Sequence, residues 1–240
     1  VKIAHIQGIA LMGTCKQILS ECRAVFYGEN AFVFDTRGQD PYPHHRGVHA
    51  HDAFERAPHQ IPGLPRDDGT INQRNTDRAL THIFDKNARH QPFMSRDPLV
   101  KFFRQIGPEN ACAITKVIIE GFFRTAEENE RCRYQRPIGF GRILPIHATI
   151  LKNVCPNFRK LTLHQGHNNS LWDDDLDGAM GLTDEERVDR TVGQLVNMLP
   201  SLQELQLGNY HFVPNGETIV EQWGRSLRWE GIVRARHRQR

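Results

Sequence analysis

Asp173, Asp175, Asp177 and Gly178 fall at positions 1, 3, 5 and 6 of a calcium-binding loop, and Asp184 falls at position 12. Oxygen ligands at alternate positions around a glycine bend would wrap a hard cation, so the metal candidates are Asp173, Asp175, Asp177 and Asp184. Two features oppose that reading. The last position holds Asp where such loops use a longer bidentate Glu, and the stretch from His164 to Trp172 does not pattern as the helix that should enter the loop. The alternative is an acidic loop whose charges favour the N-terminus of the following helix. A second cluster, His44, His45, His49 and His51, is dense enough to meet one transition-metal ion. It lies in a proline-rich stretch without a neighbouring cysteine frame, and a solvated loop is the plainer expectation. His147 and His164 each sit near a helix or strand and read as structural histidines. Gly-x-Ser-x-Gly, His-Glu-x-x-His and the phosphate-cradling Gly-x-x-x-x-Gly-Lys pattern do not occur, and Gly139-Phe140-Gly141 lacks a third glycine and a preceding strand. No catalytic residue and no cofactor follow from the sequence.

What would position any of these residues is a repeat. The pattern Asn-x-x-Pro-x-Φ-x-x-Leu-x-Leu, with Φ apolar, occurs at Asn153, Pro156, Phe158, Leu161 and Leu163. It recurs at Asn197, Pro200, Leu202, Leu205 and Leu207, a constant offset of 44 residues. A third, looser copy is Ile114 to Glu120, which places Val117 one period before Leu161. Each copy reads as a strand preceded by a helix: Pro98 to Gly107 before Ile114 to Glu120, Ile143 to Val154 before Arg159 to His164, and a helix opened by Thr183 and Glu186 before Gln203 to Leu207. Pro145 is compatible with its helix only in the first turn. Strands joined by single helices favour right-handed crossovers and a parallel sheet. The expected fold is therefore α/β: a short leucine-rich-repeat-like coil of strand-helix units. Val117, Leu161 and Leu205 would stack under Ile119, Leu163 and Leu207, and the opposite strand face would show Ile118, Glu120, Thr162, His164 and Gln206. An exposed sheet face of that kind recognises a protein partner more often than it does chemistry.

The rest of the chain divides around the repeat. Residues 1–36 make an N-terminal unit. Leu11, Cys15, Ile18, Leu19, Cys22, Val25 and Phe26 form one helical face, and Gly28 and Asn30 close it before the strand Ala31 to Asp35. Residues 37–92 carry Pro41, Pro43, Pro58, Pro62, Pro65 and Pro92 with almost no apolar period, and read as a long disordered insertion. Within it Asn75 to Asn87 is expected to form a short helix carrying Leu80, Ile83 and Phe84. Residues 93–233 hold the repeat-like region, Arg124 to Arg136 is a mixed-charge surface segment, and Glu217 to Leu227 is expected as a last helix. After Trp229 the chain turns basic and should fray, leaving 234–240 as a tail.

The 240 residues, 38% of them apolar, suffice for a core of one domain. Net charge is +3, and Arg234, Arg236, Arg238 and Arg240 alone exceed it, so the body offers no electrostatic footprint for nucleic acid or an anionic membrane. Cys15, Cys22, Cys112, Cys132 and Cys155 are odd in number and form no Cys-x-x-Cys pair, as expected of reduced thiols in an intracellular protein, cytoplasmic or nuclear. No apolar run approaches the roughly 18 residues that cross a bilayer. The N-terminus lacks a secretion signal, so the sequon Asn168-Asn169-Ser170 is expected to stay unmodified. The chain opens at Val1 rather than Met, as a fragment or a processed start would.

Thr14-Cys15-Lys16-Gln17-Ile18 with Glu21, then Tyr27-Gly28-Glu29-Asn30-Ala31-Phe32-Val33-Phe34, resemble a stretch of a large group of uncharacterised fungal F-box-like proteins. The same is true of Phe102-Phe103-Arg104-Gln105-Ile106-Gly107-Pro108-Glu109-Asn110 and the strand that follows. The resemblance covers roughly residues 9–36 and 98–121, and the leucine-patterned remainder is similar to the repeat-like tails of that group. It implies a non-enzymatic role in protein recognition, as the substrate-binding part of a ubiquitin-ligase receptor. Residues 1–30 contain no Leu-Pro-x-Glu-Ile type F-box opening, so a ubiquitin-ligase adaptor is an expected partner only where an F-box lies upstream.

Overall fold

The computed structural model describes residues 16–35, 74, 83–85, 97–121, 123–124, 138–165, 184–209 and 221–238. Its elements begin with α1 (Lys16–Glu29), β1 (Ala31–Asp35), α2 (Pro98–Ile106), α3 (Pro108–Ala111), β2 (Lys116–Gly121), β3 (Phe123–Arg124) and β4 (Ile138–Gly139). They continue with α4 (Phe140–Val154), β5 (Lys160–Gln165), α5 (Asp184–Met198), β6 (Glu204–Asn209), a 3-10 segment (Glu221–Leu227) and α6 (Arg228–Arg238). Four strands form one sheet in the order β1-β2-β5-β6, every neighbouring pair parallel. β3 and β4 make a separate two-stranded antiparallel pair.

The 44-residue period is kept in the backbone as well as in the leucines. β2, β5 and β6 begin at Lys116, Lys160 and Glu204, and the two 15-residue helices α4 and α5 begin at Phe140 and Asp184. The turn that leads into each strand repeats too: the Ile114, Phe158 and Leu202 amides donate to the carbonyls of Ala111, Cys155 and Leu199 at 3.2, 3.0 and 3.1 Å. All six of those side chains are buried. Each unit therefore ends its helix, drops one apolar side chain into the core, and joins the sheet in the same register. The Lys160 amide donates to Thr115 O and the Glu204 amide to Arg159 O, which locks that register at the start of each new strand.

The register aligns Phe32, Val117, Leu161 and Leu205 in one rung and Phe34, Ile119, Leu163 and Leu207 in the next. Val117, Leu161 and Leu205 are thus neighbours in consecutive strands, as the offset requires. β1 supplies a fourth member of each rung that no 44-residue spacing announces, because a long segment separates it from β2. Alternation of side chains along a strand puts both rungs on one face. There they join Leu99, Phe103, Leu144, Leu151, Val188, Val192 and Leu195 of the helices in one core.

Local signals explain the boundaries. Asp97 caps α2: its Oδ1 accepts the Val100 amide at 2.8 Å, and Pro98 follows in the first turn, where its missing N–H costs nothing. Gly107, at φ 78°, ends the helix in a conformation that other residues rarely adopt. Asn30 and Asn153 each donate a side-chain amide to the carbonyl four residues back, at 2.8 and 2.7 Å, which adds a bond near each helix end.

Several expectations are corrected. α4 starts at Phe140, not Ile143, so Pro145 lies inside the helix and beyond its first turn. Gly139 does follow a strand residue, since Ile138–Gly139 pairs with Phe123–Arg124, but that pair is antiparallel and outside the main sheet. Val25 does not share the buried face of α1: it is exposed, and Tyr27 is the buried residue of that turn. Ile83, which the sequence places on a short helix inside the insertion, is 2% exposed and belongs to the core, so the insertion contributes to it. Of the helix expected over Glu217 to Leu227, the described part, Glu221–Leu227, is a 3-10 segment bent at Gly224 (φ 47°).

The basic end does not fray where the charges begin. α6 runs to Arg238, because Val233 is buried, Arg236 donates to Val196 O at 3.0 Å, and the His237 ring meets Leu202 O at 2.7 Å. Arginine and histidine in the last turn also favour the negative end of the helix dipole. No helix among the described residues is long and apolar enough to cross a membrane.

Candidate functional site: the second face of the sheet

The parity that sends the leucines into the core sends the alternate residues to the other face in three rows across the strands. At the N-terminal end the register aligns Ala31, Lys116, Lys160 and Glu204; in the middle Val33, Ile118, Thr162 and Gln206; at the C-terminal end Asp35, Glu120, His164 and Gly208. The face therefore runs from a row with two lysines and one glutamate, through a row half aliphatic and half polar, to an acidic row. Lys160 pairs with Glu204 at 2.5 Å across β5 and β6, and Lys116 donates to Glu29 O at 2.9 Å. Val33 is 43% exposed and Gln206 is exposed, while Ile118, Glu120 and His164 are half-buried.

Thr162 departs from the expectation of a displayed residue, being only 4% exposed. It is a short side chain in the middle row of an inner strand, with Ile118 and Gln206 beside it in register and Lys160 and His164 before and after it on its own strand. Four longer neighbours leave it little solvent. The surface thus offers Val33, Ile118, Glu120, His164 and Gln206, with Thr162 as their floor.

His164 and Glu120 approach to 3.9 Å between Nδ1 and Oε1, too far for a hydrogen bond but close for an ion pair. Burial holds the His164 imidazole below its ordinary pKa of 6.5. Gly208 makes room for the ring: a Cβ there would lie 3.3 Å from His164 Cδ2. The C-terminal row thus pairs one carboxylate-rich strand end with a neutral imidazole that a lower pH charges.

The remaining candidates are not brought together. Asp173, Asp175 and Asp177, and the histidines from His44 to His51, lie outside the described residues. Asp184 is the first residue of α5, and the last described element before this segment is the strand β5. Among the described residues no group of three or more His, Cys, Asp or Glu side chains is placed to hold a metal ion.

Two polar clusters that spacing does not reveal are structural. His147 of α4 meets Asp97 at 2.7 Å, both almost fully buried, so the carboxylate that caps α2 also staples it to α4. Asp189 of α5, buried, accepts from Arg228 at 2.6 Å and from the Trp229 indole at 2.9 Å, which docks the start of α6. His147 meets Asp97 through Nε2, while its buried Nδ1 has no hydrogen-bond partner among the described residues. Asp97 and Asp189 escape notice because each partner lies 39 or more residues away in sequence. Asp97 alone carried a local clue, an Asp immediately before Pro at a helix start.

No family model, curated protein or solved structure matches the chain.

Proposed function

We propose that this chain is a non-enzymatic protein-recognition module of leucine-rich-repeat-like build, whose contact surface is the face carrying Val33, Ile118, Glu120, His164 and Gln206. One observation carries it. A single register arranges four strands so that one face packs into the core, while the other keeps Val33 and Ile118 beside Thr162 and Gln206, between a lysine-bearing row and an acidic row. Aliphatic residues left half exposed beside graded charge suit a protein partner, since the apolar part supplies contact area and the charges set orientation. The narrower form of the proposal, the substrate-binding part of an F-box-type ubiquitin-ligase receptor, rests on the resemblance of residues 9–36 and 98–121. It needs an adaptor-binding segment outside residues 1–30.

A photo-crosslinking amino acid placed at Gln206, with a second copy of the experiment at exposed Arg190 on α5 as control, tests the face directly. Native cells should yield a defined crosslinked protein from position 206 and none from 190, and Gln206→Lys should reduce capture while leaving the thermal midpoint within about 2 °C. Equal labelling from both positions would remove the face from consideration. Absence of a ubiquitin-ligase adaptor among the captured proteins would remove only the narrower form.

A further inference from the structure

The turns that lead into β2 and β5 bring two cysteines of successive units together. Cys112 follows α3 directly, and Cys155 follows α4 directly. Their backbones are held by the turns themselves: the Phe158 amide donates to Cys155 O at 3.0 Å, and Asn157 donates its side-chain amide to Cys112 O at 2.9 Å. The Cys112 thiol points at the carbonyl of Val154, the residue next to Cys155, with 4.0 Å between Sγ and O. A carbonyl oxygen lies about 2.8 Å from the Cα of the following residue, which places Cys112 Sγ within about 7 Å of Cys155 Cα. In a disulfide the same separation is about 4 Å, a gap that side-chain rotation and a small shift of the turn close.

The two thiols differ in access. Cys112 is exposed, whereas Cys155 is 1% exposed. Burial pushes the Cys155 thiol well above its ordinary pKa, and the charge of a Cys112 thiolate pushes it the same way. An oxidant arriving from solvent therefore meets Cys112 first, while Cys155 stays protonated beneath it. We propose that Cys112 and Cys155 are an oxidation site, at which a hydroperoxide closes a reversible disulfide between the unit of β2 and the unit of β5. Cys112 Sγ, as its thiolate, attacks one oxygen of hydrogen peroxide and the O–O bond breaks; the sulfur is oxidised to a sulfenic acid and the other oxygen leaves as water. Cys155 Sγ then attacks the Cys112 sulfur, the S–S bond forms as the S–O bond breaks, and the hydroxyl leaves as water with the Cys155 proton. A thiol reductant reverses the link by exchange. The link lies just before Thr115, whose carbonyl accepts the Arg159 and Lys160 amides at 2.9 Å each, so it makes the register of β5 on β2 covalent. One period on, the corresponding positions are Pro156 and Leu199, and the next junction has no such pair.

The test treats the 240-residue chain, reduced and then freed of reductant, with dilute hydrogen peroxide and maps its proteolytic peptides by mass spectrometry. The expected product is a pair of peptides joined through Cys112 and Cys155 and released again by dithiothreitol. Cys155→Ala should instead leave a sulfenic acid at Cys112 that dimedone traps, and Cys112→Ser should leave Cys155 unreacted. The cross-linked wild-type chain should unfold at a higher urea midpoint than the reduced chain, a difference that disappears in Cys112→Ser. That variant should keep the wild-type circular dichroism, because Cys112 is exposed. A wild-type Cys112 that oxidises without joining Cys155, or that joins any other cysteine, overturns the proposal. So does oxidation of Cys155 in the Cys112→Ser chain. A cross-linked chain with an equal or lower urea midpoint overturns the locking of the register. These readouts are independent of partner capture through Gln206.

Discussion

On the side of the sheet that meets the helices, one rung holds Phe34, Ile119, Leu163 and Leu207; one residue further along, on the opposite side, the rung holds Asp35, Glu120, His164 and Gly208. The first is all apolar and almost wholly buried. The second mixes acid, imidazole and glycine. Backbone geometry is shared by the two rungs, so the difference comes from what each must touch. Helices packed on one side favour side chains of a narrow range of size and penalise unpaired polarity. The other side is free to carry charge. The contrast teaches where the fold tolerates change and where it does not, and mutations that respect or violate it measure how sharp the boundary is.

The largest effect is expected on the covered side. Leu163→Ala removes a fully buried side chain from the centre of an inner strand, and should lower the unfolding free energy by about 2–5 kcal/mol, read from the urea midpoint. A loss under 1 kcal/mol would mean that the helices are not seated on that rung.

A smaller loss, about 1–3 kcal/mol, is expected from Gly193→Val in the helix layer. Its Cβ would overlap the Trp229 ring, displacing α6 and costing the indole its bond to Asp189. The measurement is thermal unfolding followed by tryptophan fluorescence, and unchanged emission would contradict the close packing of Gly193 on Trp229.

On the uncovered side the effect should be slight and dependent on pH. Because burial lowers the His164 pKa, the unfolded chain takes up a proton that the folded chain resists as pH falls below the ordinary value of 6.5. The neutral ring therefore stabilises the fold above that value, and the advantage shrinks as pH drops through it toward the folded pKa. The wild-type thermal midpoint should decline between about pH 7.5 and about pH 5.5 more steeply than that of His164→Gln. Parallel slopes would show that the ring is solvated like any surface histidine.

Much of the covered side was legible in the residues. The offset linking Leu161 and Leu163 to Leu205 and Leu207 specifies both strand parity and register, because a strand has a side-chain period of two and a one-residue slip would expose every leucine. The uncovered side was legible only by elimination, as whatever the leucines do not use. That logic places Ile118, Glu120, His164 and Gln206 correctly and mistakes Thr162, because exposure depends on the length of neighbouring side chains as well as on direction. The end of the chain shows a different limit. A run of arginines reads as a solvated tail, yet Val233, Arg236 and His237 each find a partner on an earlier element. Local composition carries no information about contacts that span 35 residues or more.

By itself the sequence determined the α/β class, the parallel order of the last three strands, and the row of leucines that makes their core, since periodicity acts through local backbone geometry and needs no knowledge of the rest of the chain. The tertiary structure alone decided that β1 joins the sheet as a fourth strand, that Asp97 and His147 meet, that Glu230 takes up the Leu207 amide of β6, and that Thr162 lies beneath its neighbours. Each of those depends on which distant surfaces come within a few ångströms of one another, and such proximity is a property of the packed molecule and of no segment taken alone.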